Sequence, residues 1–375
     1  MENPQIGGAT ALSEQLAQTD GHQYDMIVFC HLRWEFVYQR PQHIISRLAK
    51  DRKILFIEEP IGFAPQEENT AILKKVTPQL HVLQPKVKGI KDIANLLPKY
   101  VSNSRVSIGW FYSAAFSVLL QEINFETIIY DCMDELSLFK GAPQELIDQE
   151  KFLISNAAIV FTGGKSLYDS KKEMHRNAFC FPSSVDESHF AQALNGIEIP
   201  ADIAYIKAPI VGYYGVIDER IDLELLRKTA EKMPEVSFVM IGPLAKIGDN
   251  DLPRMNNIHY LGMKSYGELP GYLKAFDVAM MPFALNDSTT FISPTKTLEY
   301  MAAGKPIIST KIKDVVRDYA SCVALIESAD DFCEAVSNAL IENKVNLSNY
   351  EEILSNTSWD ATAEKMNSII KKIAL

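Results

Sequence analysis

The 375 residues carry 37 Lys and Arg against 48 Asp and Glu, a formal charge of −11, with 47% hydrophobic, 23% charged and 10% aromatic residues. At about 150 residues per domain, this length predicts two or three domains with sizeable cores and excludes a single small binding module. The composition excludes a disordered, collagen-like or coiled-coil chain, and the acidic balance disfavours nonspecific nucleic-acid binding.

Five scattered cysteines, Cys30, Cys132, Cys180, Cys322 and Cys333, lack any CxxC spacing and read as reduced thiols of a cytoplasmic protein. The N-terminus has no basic flank followed by an apolar stretch, and no segment approaches the ~20 apolar residues of a membrane span.

In chain order, residues 1–22 read as a flexible tail. Short apolar, β-rich runs then recur at 26–32, 54–57, 82–84, 106–111, 127–130, 158–162 and 177–181. They have the pattern of parallel strands buried on both faces. Helix-period segments at 41–50, 116–123, 144–155 and 166–175 separate several of them. This alternation predicts a doubly wound α/β domain over 23–186.

A polar, poorly patterned stretch at 187–207 reads as a linker. A second series follows, with strands at 209–215, 237–241, 259–261, 278–281, 306–309 and 323–326. Its helices fall near 223–232, 268–275, 294–303, 331–342 and 359–374. The expected fold is therefore α/β, with two Rossmann-like, doubly wound domains facing a cleft, the second covering 208–356.

Two motifs fail. Phe29-Cys-His-Leu-Arg-Trp34 stands where a dinucleotide fingerprint needs its glycines, and Gly164-Lys165-Ser166 lacks the earlier glycine of a P-loop, where Ile159 stands. A nicotinamide-dependent dehydrogenase is disfavoured. Asp249-Asn250-Asp251 has the form that holds a metal against diphosphate, yet beside Gly248 and Pro253 it reads as a solvated turn. No metal site is expected.

The strongest signal is Ser293-Pro-Thr-Lys-Thr-Leu-Glu-Tyr-Met-Ala-Ala-Gly-Lys-Pro306. It predicts a helix capped by Ser293, with Pro294 first and Gly304 at its end. Free N–H groups and the positive dipole end favour an anion there, and Lys296 adds a full charge. Glu299, on the same face by i,i+3 spacing, can accept from vicinal hydroxyls such as those of a ribose. The alternative is a surface Lys296–Glu299 pair on an amphipathic helix.

This segment resembles glycosyltransferases of the GT-B fold, of the group 1 or family 4 type found in bacterial surface-polysaccharide synthesis. The resemblance covers nearly everything from Asp25 onward. Those enzymes carry a Glu, seven residues, a second Glu that contacts the donor ribose, and Ala-Met-Ala-x-Gly-x-Pro. Glu299 and Met301-Ala-Ala-Gly-Lys-Pro306 match the second half, whereas Phe291 occupies the place of the first Glu.

Gly215-Val-Ile-Asp-Glu-Arg220 resembles the family's glycine-led turn, with Arg220 at the diphosphate-binding position and Val216 where an arginine often stands. Asp222 reads as a helix N-cap. Leu261-Gly-Met263 resembles the loop that reads the nucleobase. The segment from Pro182 to Phe190 resembles the interdomain hinge, and 357–375 the helix that crosses back onto the first domain. The resemblance thus implies a donor set of Gly215, Arg220, Met263, Ser293, Pro294, Lys296 and Glu299.

On the acceptor side, Asp131 and then Asp134 follow an apolar run, where a carboxylate can take a proton from an acceptor hydroxyl. Asp131 can equally serve the strand end structurally. His31, Arg33, Trp34 and Arg40 gather after the first strand. Trp34 offers a face to a sugar ring and the arginines suit a carboxylate or phosphate, with a loop-stapling role as the alternative.

The expected function is a metal-independent glycosyltransferase without cofactor, its nucleotide-sugar, a UDP-sugar by default, being a substrate. Its acceptor is a saccharide or lipid-linked saccharide, and it acts in the cytoplasm, with peripheral contact at the inner face of the membrane left open. The rival readings are a nonhydrolysing sugar-nucleotide epimerase of the same fold and a noncatalytic polysaccharide-assembly subunit. The sequence leaves open the sugar, the stereochemical course and the oligomeric state.

Overall fold

A computed structural model describes residues 14–15, 21–61, 68–342 and 347–374. Most of the 1–22 tail lies outside the described residues. The chain divides into two units, Met1–Pro182 with Asp360–Leu375, and Ser183–Trp359.

The first unit holds β1 (Glu14–Gln15), β2 (Met26–Cys30), β3 (Ile54–Glu58), β4 (Thr70–Thr77), β5 (Leu80–Lys86), β6 (Val106–Phe111), β7 (Phe125–Cys132), β8 (Ile159–Thr162) and β9 (Ala178–Cys180). They form one sheet in the order β1-β4-β5-β3-β2-β6-β7-β8-β9. From β5 to β9 the neighbours are parallel, whereas β4 pairs antiparallel with both β1 and β5. β4 was not legible as a strand: Thr-Ala-Ile-Leu-Lys-Lys-Val-Thr is largely half-exposed, so it lacks the continuous apolar run of β2 and β3, whose residues are all buried. The segment expected as a helix at 116–123 is a 3-10 helix, Ala114–Gln121.

The second unit holds β10 (Ile210–Tyr214), β11 (Ser237–Ile241), β12 (Ile258–Tyr260), β13 (Val278–Met281), β14 (Ile307–Thr310) and β15 (Ala324–Ile326). All neighbours in its order β12-β11-β10-β13-β14-β15 are parallel. Counted within the unit, this is the doubly wound order 3-2-1-4-5-6, whose strand direction of progression reverses between β10 and β13. Open sheets of this kind bind ligands beyond the carboxyl ends of the strands at that reversal.

The stretch 187–207 folds with the second unit: it contains the short helices Glu187–Phe190, Ala191–Leu194 and Ala201–Ala204, and it buries Phe190, Ala193 and Ile203. The terminal helix Trp359–Ala374 counts with the first unit from Asp360 onward. It is tied there by Arg47 to Asp360 at 3.0 Å and Arg52 to Asn367 at 2.6 Å.

Candidate functional site

In the second unit, β10 ends at Tyr214 and the chain turns at Gly215, where φ is 142°. A side chain at this φ would be strained, and a Cβ here would overlap Lys296 Cε and lie 2.9 Å from its Nζ. Gly242, after β11, has φ 149°, and a Cβ there would collide with the Gly215 carbonyl. The Gly242 amide donates to the Gly262 carbonyl at 2.8 Å. Three successive strands thus end in glycine turns that leave bare backbone at the sheet edge.

The helix Thr295–Ala302 starts one residue later than the sequence suggested. Pro294, not Ser293, is the N-cap residue, and among the described residues no side chain caps the first turn. Ser293 instead uses its carbonyl to accept from Ser183 Oγ at 2.8 Å, while Thr295 Oγ1 donates to Ser183 Oγ at 3.0 Å. The first-turn amides therefore keep no side-chain acceptor, which suits an anionic ligand.

Lys296 projects from this turn to Gly215 and stands over the Tyr214 ring, 5.8 Å from its centroid. Burial lowers its pKa, aided by Arg220, against the opposing pull of Glu299 and Asp218. Glu299 is 6% exposed and accepts a hydrogen bond from Tyr214 Oη at 2.5 Å. Burial raises its pKa, while Lys296 and that hydrogen bond pull it down. The alternative of a surface Lys296–Glu299 pair does not fit a carboxylate this enclosed.

Arg220 pairs with Asp218, its Nε at 3.0 and 3.1 Å and its Nη2 at 2.7 Å from the carboxylate oxygens. Its backbone anchors the reversal of the sheet: Ala284 N donates to Arg220 O at 2.8 Å and Asp222 N to Pro282 O at 2.8 Å. Asp222 caps the helix Leu223–Lys232 through Leu225 N at 2.8 Å. Met263 is exposed, past Gly262. Gly215, Lys296 and Glu299 therefore come together with Arg220 near them.

In the turn at 249–251, Asp251 accepts from Gly248 N at 2.7 Å and Asp249 pairs with Arg254. Among the described residues no group of three His, Cys, Asp or Glu side chains is placed to hold a metal.

In the first unit the acceptor-side residues are more tightly committed than their sequence pattern suggested. Asp131 is fully buried and Arg40 is 5% exposed. Arg40 donates to Asp131 through Nε at 3.1 and 3.2 Å and Nη2 at 2.8 Å, and to the Phe181 carbonyl through Nη1 at 2.7 Å. Burial works against the Arg40 charge, but Asp131 outweighs it and the pKa is raised. The guanidinium thereby commits Nε, Nη1 and Nη2 to partners within the protein. The pair ties the start of helix Arg40–Leu48 to β7, the arrangement expected of the structural alternatives for Asp131 and Arg40.

The loop after β2 is stapled as well. Glu58, buried at the end of β3, accepts from Arg33 Nη1 at 3.2 Å, Trp34 N at 2.8 Å and Gln84 Nε2 at 2.9 Å. Gln42 donates to the carbonyls of Trp34 and Val37 at 3.0 and 3.2 Å. Trp34 meets Phe56 edge to face at 5.0 Å, and His31 and Trp34 are half-buried. Arg33, about a third exposed, also bonds the Glu59 carbonyl at 2.8 Å.

Asp134 is half-buried, beside a network the sequence reading missed. Lys171 sits between Glu135 at 2.5 Å and Glu150 at 2.6 Å, and Tyr130 Oη donates to Glu150 at 2.7 Å. Of the residues overlooked elsewhere, Glu58 and Gly242 each had one faint signal. Glu58 is a charge closing an apolar strand, and Gly242-Pro243 follows one.

Residues 208–342 match the family model for glycosyl transferases group 1. A Bacillus subtilis strain 168 protein, TuaH, whose name assigns it provisionally to teichuronic acid biosynthesis as a glycosyltransferase, is 24% identical over 234 residues. The match spans 58% of this chain and 58% of that relative.

Among solved structures, sucrose-phosphate synthase from Thermosynechococcus elongatus superposes with a TM-score of 0.67 at 14% identity, over 92% of this chain and 98% of that one. Anabaena HepE in complex with UDP-glucose gives 0.67 at 11% identity, over 93% and 100%. The E. coli protein bound with UDP-2-fluoro glucose gives 0.65 at 11%, over 93% and 99%. With a doubly wound sheet in each unit, a glycine-lined edge and the Lys296–Glu299 helix, the chain has the GT-B glycosyltransferase fold, and its segment 208–342 carries the match to the group 1 glycosyl transferases.

Proposed function

We propose that the protein is a glycosyltransferase that takes a sugar from a UDP-sugar bound on its second unit and passes it to a saccharide or lipid-linked saccharide acceptor. The observation that carries the proposal is the seat of Lys296. Its ammonium lies against Gly215 at the carboxyl end of β10, in the first turn of an uncapped helix, with Glu299 one turn on. That arrangement suits a diphosphate at the cation and amides, and a ribose at the carboxylate. The nucleotide complexes of HepE and the E. coli protein, and the teichuronic acid biosynthesis in TuaH's name, support the same reading.

In the proposed reaction an acceptor oxygen bonds the anomeric carbon, the bond from that carbon to the UDP oxygen breaks, and the acceptor proton passes to a base. Charge builds up on the leaving diphosphate, where Lys296, the helix N-terminus and Arg220 stabilise it. With Asp131 committed to Arg40, Asp134 is the remaining candidate for the proton. In this reading His31, Arg33 and Trp34 border the acceptor region, in a loop that Glu58 holds through the Arg33 side chain and the Trp34 amide.

Two observations favour a second reading, a noncatalytic subunit that binds nucleotide sugar. Phe291 replaces the family's first Glu, and the carboxylate first expected as base is sequestered. A thermal-shift panel of UDP, GDP, ADP and UDP-sugars tests the main proposal. A ligand at 100 times its dissociation constant stabilises the folded state by about 2.7 kcal/mol. A shift with uridine nucleotides accompanied by UDP release in the presence of acceptor supports transfer. A shift without release supports the noncatalytic reading, and no shift with any nucleotide refutes both.

A further inference from the structure

Tyr214 closes β10 with its side chain wholly enclosed, yet it touches both charged groups of the site. Its hydroxyl donates to Glu299 Oε2 at 2.5 Å, and its ring lies beneath the Lys296 ammonium at 5.8 Å. The same residue is itself held: Tyr214 N donates to Tyr300 Oη at 3.3 Å, and the two rings meet edge to face at 5.3 Å. Phe190 stacks near its ring at 6.3 Å. It is therefore a rigid part of the wall.

We propose that Tyr214 is the positioning residue of the donor site, fixing the Glu299 carboxylate so that Oε1 alone faces a ligand hydroxyl, and thereby setting the preference for ribonucleotides over 2′-deoxyribonucleotides. The proposal rests on the donor-site reading above. A carboxylate with one oxygen locked has lost the rotation that lets it turn away from an incoming hydroxyl, so its ordering is done before binding. A site built to hydrogen-bond a hydroxyl discriminates strongly against the ligand that lacks it, because the buried acceptor is then left unpaired.

The hydroxyl also biases protonation. Glu299 faces Lys296 on its own helix, Tyr214 on β10 and the charge of Asp186, and burial holds its pKa above the ordinary carboxylate value while Lys296 and the Tyr214 hydrogen bond oppose that rise. Removing the hydroxyl leaves burial less opposed, so Glu299 takes up a proton at higher pH.

The experiment uses the full chain, with UDP, 2′-deoxy-UDP and inorganic pyrophosphate titrated by calorimetry between pH 5 and 8, against wild type, Tyr214→Phe and Tyr214→Leu. In wild type, UDP is expected to bind at least ~10-fold tighter than 2′-deoxy-UDP near neutrality, and this ratio shrinks toward acid pH as Glu299 is protonated. Tyr214→Phe keeps the ring under Lys296, so the ratio should fall several-fold and the acid limb move to higher pH. Tyr214→Leu should weaken pyrophosphate too, because the cation loses its aromatic seat.

A Tyr214→Phe protein with the wild-type ratio and acid limb overturns the proposal while leaving the donor site standing. A wild-type protein that binds UDP with no preference over 2′-deoxy-UDP at any pH overturns it without any variant. Failure of wild type to bind both UDP and pyrophosphate removes the donor-site reading and this inference with it.

Discussion

Arg40 and Asp131, from the first helix and the seventh strand, form an enclosed pair in which the guanidinium makes three hydrogen bonds to the carboxylate at 2.8 to 3.2 Å. Removing one partner leaves the other charge buried and unpaired, which typically costs ~3–5 kcal/mol. Asp131→Ala should therefore lower the melting temperature sharply. Asp134→Asn, in the half-exposed segment beyond the strand, should leave folding and UDP affinity intact and lower transfer ~10²-fold, as general-base loss does. An Asp131→Asn protein that melts like wild type yet has lost transfer would return the role of base to Asp131.

Gly242 is held by the close approach of two strand ends rather than by any side chain. A Cβ there meets the Gly215 carbonyl, and neither backbone can swing aside as a flexible side chain would. Gly242→Ala should cost ~1–3 kcal/mol in denaturant unfolding and weaken UDP binding as well, because the displaced Gly215 turn carries the Lys296 contact. Unchanged stability would show that the two turns are not coupled.

The affinity for UDP should follow a bell-shaped pH profile. Glu299 must be ionised to accept from a ribose, and burial raises its pKa, so affinity should fall on acidification before an ordinary carboxylate would protonate. Lys296 must be charged to hold diphosphate, and burial lowers its pKa, so affinity should fall on the alkaline side before an ordinary lysine would deprotonate. Lys296→Arg should remove the alkaline limb, since a guanidinium stays charged throughout. Calorimetry across pH checks both limbs. A flat profile from pH 5 to 10 would contradict the assignment of these two residues.

Transfer should persist in EDTA. The only Asp-x-Asp of the sequence has Asp251 on the Gly248 amide and Asp249 on Arg254, which leaves the charge of the leaving diphosphate to Lys296, Arg220 and helix amides. Activity lost in EDTA and restored by magnesium or manganese would overturn this.

The parts of the fold legible in the sequence are those dictated by local pattern. Strands such as Ile210–Tyr214 and Val278–Met281 are uninterrupted apolar runs because both faces of a parallel sheet are covered, and the helix Leu223–Lys232 is bounded by its Asp222 cap. β4 escaped because Lys74 and Lys75 interrupt it and most of its residues are half-exposed, so no continuous apolar run marks it. On the donor side, Lys296 and Glu299 were legible because a helix start fixes their spacing. The acceptor side was not: Asp131 meets Arg40 across 91 residues, and Glu58 reaches Trp34 across 24, distances at which no periodicity reports a contact. Asp131, Arg40 and Arg33 read there as lone polar residues, and their partners lie far along the chain.

The central claim is that Lys296 holds the donor diphosphate, and it is tested most directly by calorimetric titration of UDP into wild type and Lys296→Ala. Loss of a charge-assisted contact predicts ~1.5–3 kcal/mol weaker binding, roughly 10- to 150-fold in dissociation constant. Equal affinities for the two proteins would contradict it.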